Sequence, residues 1–235
     1  MAEITAVRRR GPGAAKRAPS IAAIVLAAGR SSRFAPENKL LAEFEGAPMI
    51  TRAVEAALLS KAAPVLVVVG SDADRMRAVL GGRDVTIVEN PRFAEGLSSS
   101  LRAGLAALPQ GVDGAVVLLG DMPRVGAHHI DRLIAAFDPS AGRAICVPIH
   151  RGRRGNPVLW SAAFFPEMEK LRGDCGAREL IDHHAARAAE VEMPDDSILF
   201  DVDTPATLAE LRPGAAERAS APNPPEVAGS SRRGC

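Results

Sequence analysis

The sequence predicts a single α/β domain built on a Rossmann-like, doubly wound, mostly parallel sheet. Three observations predict it. Short, continuous apolar runs recur along the chain, as expected of strands covered on both faces. Segments with helical spacing separate these runs, so the order is β-α-β-α, which calls for parallel pairing and helices on both sides. The chain is also large and apolar enough for a core, with 47% hydrophobic residues in 235, and it has no internal repeat at solenoid periods.

The elements run in this order. Ile21 to Ala27 is the first apolar run. Pro48 to Lys61 has helical spacing of Ile50, Val54, Ala57 and Leu58, with Pro48 suited to the first turn. Pro64 to Val69 is a second buried strand. Asp72 to Leu80 reads as a helix begun by an Asp or Ser cap and ended at Gly81-Gly82. Val85 to Val88, Ala115 to Leu119 and Ala144 to Pro148 read as strands. Ser98 to Leu108 and Ala127 to Phe137 read as the helices among them. Beyond Ile149 the pattern is less regular. Short strands are expected near Pro157 to Trp160 and Ile198 to Val202, and helices at Ala162 to Leu171, Ala177 to Ala186 and Pro205 to Leu211. The domain therefore spans 20–212. Residues 1–19 form a basic tail rich in Arg, Pro, Gly and Ala; Arg8-Arg9-Arg10 there is not followed by a cleavage site, so an export signal is disfavoured. Residues 213–235 have little to bury, and both ends are expected to be disordered.

Composition excludes several functions. Lys plus Arg number 29 against 28 Asp plus Glu, a net of +1, so no nucleic-acid partner is expected. Aromatics are 3%, with no Tyr and one Trp, too few for a base-stacking platform. No apolar run is long enough to span a bilayer, so no membrane partner is expected. Cys146, Cys175 and Cys235 form neither a disulfide framework nor a CxxC pair, which points to the cytoplasm. His128-His129 and His183-His184 are adjacent pairs whose side chains diverge on a helix, so they read as helix-surface residues rather than a zinc face.

In such a sheet ligands bind beyond the carboxyl ends of the strands. After the first strand comes Leu26-Ala27-Ala28-Gly29, then Ser31, Arg33 and Lys39. Small residues let backbone N–H groups converge on phosphate, and two cations share the loop. The spacing is neither a dinucleotide fingerprint nor a Walker A loop, and an ordinary βα turn with solvated cations is the bland alternative. After the third strand, Gly96-Leu97-Ser98-Ser99-Ser100 opens a helix; one serine suffices for a cap, and the surplus favours a ligand. Asp121 in Gly120-Asp121-Met122-Pro123 is either a helix cap or a ligand for a hard cation. Asp201 and Asp203, alternating on an expected strand, face one way beside a Thr-Pro helix start; they suit a cap or a metal, and taken alone the segment favours the cap. Asn156 in Gly155-Asn156-Pro157, and Asp174 and Arg178 around Cys175, are polar handles on glycine turns. Cys175 beside Arg is a candidate thiolate, though no His supports it as a nucleophile.

Taken in order, these segments resemble the molybdenum cofactor nucleotidyltransferase family, and within it the cytidylyltransferases. The resemblance rests on LAAG-x-S-x-R with a downstream Lys, EGLSSSL, GDMP, GNP, GD-x-GAR and D-x-DTP, from Leu26 to Pro205. One departure is Arg33-Phe34-Ala35, where the family commonly has Arg-Met-Gly. The resemblance implies a nucleotidyltransferase-type sheet and transfer of CMP from CTP to molybdopterin cofactor, releasing pyrophosphate. It implies that Leu26, Ala27, Ala28 and Gly29 wrap the triphosphate, with Arg33 and Lys39 neutralising it. Gly96, Ser98 and Ser99 would meet base or ribose. Asp121 and Asp203, with Asp201 beside them, would hold Mg²⁺. Asn156, Asp174 and Arg178 would face the acceptor, and a recipient molybdenum hydroxylase or its chaperone is the implied protein partner. Ala28 beside Gly29, and Asn38 before Lys39, point to CTP over GTP. Other acceptors or nucleotides on the same fold, and a non-catalytic nucleotide-binding module, are the competing functions.

Overall fold

The computed structural model describes residues 17–29, 34, 37–70, 72–174 and 177–210. The expected tails lie outside these residues apart from 17–19, where Arg17 pairs with Asp113 at 2.8 Å. Arg33 and Cys175 also lie outside them.

The strands are β1 (Ile21–Ala27), β2 (Glu43–Phe44), β3 (Ala47–Pro48), β4 (Val65–Val69), β5 (Thr86–Glu89), β6 (Gly114–Leu119), β7 (Ile145–His150), β8 (Arg153–Arg154), β9 (Val158–Ser161) and β10 (Ala188–Glu192). The helices are α1 (Met49–Leu58), α2 (Ala73–Leu80), α3 (Leu97–Ala106), α4 (Ala127–Ala136), α5 (Phe165–Met168), α6 (Arg178–His183) and α7 (Pro205–Glu210). The main sheet runs β10-β7-β9-β6-β1-β4-β5, with β8 paired to β7, and β2-β3 forms a separate hairpin. Pairing is parallel along β6-β1-β4-β5 and between β7 and β10; β9 is antiparallel to both β6 and β7.

Alternation along β1 divides the core between the two faces of the sheet. Ile21, Ala23, Val25 and Ala27 pack with Ile50 and Val54 of α1, Met76 of α2, and Ile130 and Leu133 of α4. Ile24 and Leu26 pack with Leu101 and Leu105 of α3, Met168 of α5 and Ile181 of α6. That is why β1 reads as an unbroken apolar run. Helix α3 can lie so close because residue 104 is glycine: a Cβ there would come within 2.6 Å of Ile24 Cγ2. Leu26 pairs with Leu119, so the carboxyl ends of β1 and β6 are side by side, and the chain leaves them in different directions. This is the switch point at which a crevice opens.

Three local expectations are corrected. The expected strand at Ile198 to Val202 is a 3-10 turn, Asp196–Leu199, followed by extended chain. Asp195 Oδ1 accepts the Ser197 N–H and winds the turn, and Val202 N–H then donates to the carbonyl of Asp121 at 3.0 Å. Asp72 precedes α2 without capping it; its Oδ2 instead accepts from Asn38 Nδ2 at 2.8 Å. His129 is not a surface residue but fully buried on α4. Its Nδ1 accepts the Gly126 N–H at 3.0 Å, and its Nε2 faces Asp195 Oδ1 at 3.2 Å.

Candidate active site

At the β1–β6 crevice a cavity of about 440 Å³ is lined by Ala28 and Gly29 of the first loop, Lys39, Gly96 and Ser100, and Asp121. Lys39 arrives from a short 3-10 turn, Lys39–Leu41, whose start is fixed by Asn38: its Oδ1 accepts the Leu40 N–H at 3.0 Å while its amide reaches Asp72. The Lys39 ammonium lies 2.6 Å from Asp121 Oδ2 and 3.1 Å from Asp203 Oδ1. These residues are 82 and 164 positions apart in sequence from Lys39. Burial works against the Lys39 charge, but Asp121 and then Asp203 outweigh it and hold the ammonium above its ordinary pKa. Asp201 has its pKa raised, first by loss of solvent around its carboxyl and then by Asp203 and Asp121. Asp121 and Asp203 therefore meet at Lys39, and Asp201 lies near enough to feel both carboxylates.

Capping does not account for these acids. Helix α4 begins at Gly126 with His129 as its side-chain partner, not Asp121. The start of α7 is served by Thr204 Oγ1, which accepts the Thr207 N–H at 3.1 Å. Among the described residues, Asp121 Oδ1 is buried without a hydrogen-bond partner. A buried, unsatisfied carboxylate oxygen is costly, and carboxylate oxygens are the ligands that a hard divalent cation takes. The residues present fit such an ion.

A second cavity of about 310 Å³ shares Leu26, Leu97 and Leu119 with the first and extends beneath α3, α5 and α6. Its floor is Val117, Val147, Val158 and Trp160, and Asn156, Arg154 and Arg178 supply polar groups. Arg154 is tied to Asp182 at 2.7 Å and Glu190 at 2.9 Å.

Of the residues singled out by sequence, Leu26, Ala28, Gly29, Lys39, Gly96, Asp121 and Asp174 line the first cavity, and Leu26, Ser98, Asn156 and Arg178 line the second. Ala27 is buried in the core, on the face of the sheet away from Leu26. Ser99 does not reach the cavities: its hydroxyl accepts from Asn90 Nδ2 at 2.8 Å and lies 2.8 Å from the Gly96 carbonyl. Asp174, expected on the acceptor side, lies against the first cavity, where its Oδ1 accepts the Leu97 N–H at 3.3 Å. Gly96 makes that clamp possible: it has φ +99°, and a Cβ would fall 2.5 Å from the Gly173 carbonyl carbon. Sequence reasoning missed Asn90, which ties Ser99 and Ser100 together, and Phe93, which lines the first cavity. The Asn90-Pro91 pair after a strand was the available signal.

A different cluster, His128, His129 and Asp195, has its ligand atoms within 4.8 Å of one another. It is already accounted for. His129 Nδ1 accepts a backbone N–H, so Nε2 carries the ring proton and donates to Asp195; a metal would need that lone pair. Among the described residues no helix is long and apolar enough to cross a membrane.

Residues 23–189 match the MobA-like NTP transferase domain. The chain is 30% identical to the purine catabolism protein PucB of Bacillus subtilis over 80% of its own length and 94% of that protein. It is 28% identical to nicotine blue oxidoreductase of Paenarthrobacter nicotinovorans (79% and 93% covered). It is 24% identical to the molybdenum cofactor cytidylyltransferase of Escherichia coli (79% and 92% covered). Among solved structures, Rv0371c of Mycobacterium tuberculosis superposes with a TM-score of 0.73 at 26% identity, covering 83% of this chain and 98% of that one. A nucleotidyl transferase from Methanothermobacter thermautotrophicus also gives 0.73, at 25% identity, with 85% and 99% covered. Rv0371c in complex with manganese gives 0.65 at 29% identity, with 82% and 97% covered. The chain belongs to the MobA-like NTP transferase family, and its fold is that of the nucleotidyltransferases.

Proposed function

We propose that this chain transfers CMP from CTP to the terminal phosphate of molybdopterin cofactor, releasing pyrophosphate. The observation that carries the reading is the meeting of Lys39, Asp121 and Asp203 at the β1–β6 crevice, beside a second cavity that can hold an acceptor. In this reading Gly29, Arg33 and Lys39 receive the triphosphate, and Ala28, Gly96 and Ser98 lie around base and ribose. Asp121 and Asp203, with Asp201 near, would hold Mg²⁺, which when bound supplies positive charge against the departing pyrophosphate. Asn156 and Arg178 orient the acceptor. Ser99 acts through the Asn90 network rather than by touch, and Asp174 by holding the start of α3. The acceptor phosphate is already an anion, so the chain needs to align it in line with the α-phosphorus and exclude water rather than remove a proton. The catalytic unit is 20–212, in the cytoplasm, with a molybdenum hydroxylase or its chaperone downstream.

A second reading keeps the transfer and changes the acceptor; the higher identity to PucB, 30% against 24%, favours it. Incubation with equal CTP and GTP, Mg²⁺ and molybdenum cofactor separates the two readings. The expected product is the cytosine dinucleotide form, with CTP preferred by about 10–200-fold, the range one steric contact gives. A guanine product would overturn the base assignment, and no dinucleotide product the acceptor.

A further inference from the structure

We propose that Lys39 is the resident counter-ion of the metal seat, so that its ammonium and a divalent cation are alternative occupants of one pair of carboxylates. The inference rests on the reading of Asp121 and Asp203 as metal ligands. Lys39 Nζ stands 2.6 Å from Asp121 Oδ2 and 3.1 Å from Asp203 Oδ1, and its side chain is only 15% exposed. A small divalent ion binds carboxylate oxygens at roughly 2.0–2.1 Å and brings its own waters. It cannot take these same two oxygens while an ammonium holds them, because two cations at such a separation repel, most strongly beside the largely buried Asp121 carboxylate.

The local build suits an exchange. The 3-10 turn is anchored through the Asn38 side chain, which bonds the Leu40 N–H and Asp72, so the long Lys39 side chain can change partners without the turn. Lys39 also lines the first cavity together with Gly29. A polyphosphate there offers Lys39 a new partner as the carboxylates are given to the metal. Until then Lys39 holds Asp121 Oδ2 and Asp203 Oδ1, and among the described residues Asp121 Oδ1 has no hydrogen-bond partner. Metal alone therefore meets an internal competitor, and metal carried in with a polyphosphate does not. By linkage, whatever draws Lys39 away tightens the metal by the same factor.

The test is a Mn²⁺ titration without nucleotide, following free Mn²⁺ by electron paramagnetic resonance. Lys39→Met and Lys39→Gln should each bind Mn²⁺ on the order of tenfold more tightly than the unaltered protein. The Gln variant keeps an amide donor for the carboxylates should the Met variant fail to fold. Adding Asp121→Asn to Lys39→Gln should abolish the gain. Unchanged or weaker Mn²⁺ binding in a folded variant overturns the competition while leaving the metal seat in place. Tight binding that survives Asp121→Asn, or no binding in any of the proteins, overturns the seat and the proposal together. In the unaltered protein, Mn²⁺ should also speed acylation of Lys39 several-fold by mass spectrometry; an unchanged rate counts against the proposal.

Discussion

The cavity beneath Lys39 and Asp121 and the cavity above Trp160 share a wall of Leu26, Leu97 and Leu119, yet they are held in shape differently. The first is closed by charge: an ammonium drawn between carboxylates from distant parts of the chain. The second is closed by packing, with Val147, Val158, Trp160 and Met168 buried in one apolar cluster. Charge that must respond to a ligand is placed where groups can exchange partners. In the proposed function, a shape that selects the acceptor would then sit where close packing resists change. The division predicts that substitutions in the first cavity act on rate and those in the second on acceptor binding.

The most severe test is Asp121→Asn. Turnover, read as pyrophosphate release, should fall by about 10²–10³ while the acceptor KM stays put, since a major electrostatic element is lost and the apolar cavity is untouched. A large rise in acceptor KM would erase the division. Arg178→Ala should do the reverse, raising acceptor KM about tenfold, the worth of one charge-assisted contact, with kcat and the CTP KM unchanged. A fall in kcat instead would move Arg178 to the chemistry.

The mildest effect concerns pH. Burial, then the neighbouring His128, lowers the pKa of His129 below its ordinary 6.5 in the folded protein. As pH falls below that value the unfolded chain binds the proton first, so stability is full above it and drains away through the folded pKa. His129 holds Asp195, which winds the turn leading to Asp201 and Asp203. Urea unfolding at pH 7.5 and pH 5 should therefore show a loss of stability that His129→Gln flattens. Metal affinity should fall over this range before acceptor affinity does; the opposite order would separate this turn from the charged cavity.

Most of the parallel half of the sheet was legible in the sequence because β1 and β4 are buried along their whole length and β6 along most of its length, while β5, half-exposed at the edge, still shows its apolar Ile87 and Val88. Ile21–Ala27 is the clearest instance. The other half was less so. Strand β10 reads Ala-Ala-Glu-Val-Glu and lies half-exposed at the sheet edge, where pairing rather than burial makes it a strand. Near Asp201 and Asp203 the expected strand was a turn, yet exposed-buried-exposed alternation across Asp201, Val202 and Asp203 survives without a sheet. Lys39 and Asp121 were legible as loop residues beyond strand ends, and they meet because β1 and β6 are neighbours. Position in a loop does not give the direction of a hydroxyl, so Ser98, Ser99 and Ser100 looked equivalent, although Ser98 faces one cavity, Ser100 the other and Ser99 neither. His129 was misread for the same reason: adjacency says nothing about which ring is turned inward.

The bond from Val202 N–H to the Asp121 carbonyl has a consequence for how the protein comes into being. A ribosome delivers the chain from the amino end, and early segments fold as they emerge. Strands β1, β4, β5 and β6 can pair once residue 119 is out, and Lys39 and Asp121 can stand together as soon as the next turn follows. Asp203 joins them only when the last fifth of the domain docks through this backbone link. A nascent or prematurely ended chain can thus own most of the sheet while lacking the carboxylate that completes the Lys39 ion-pair cluster.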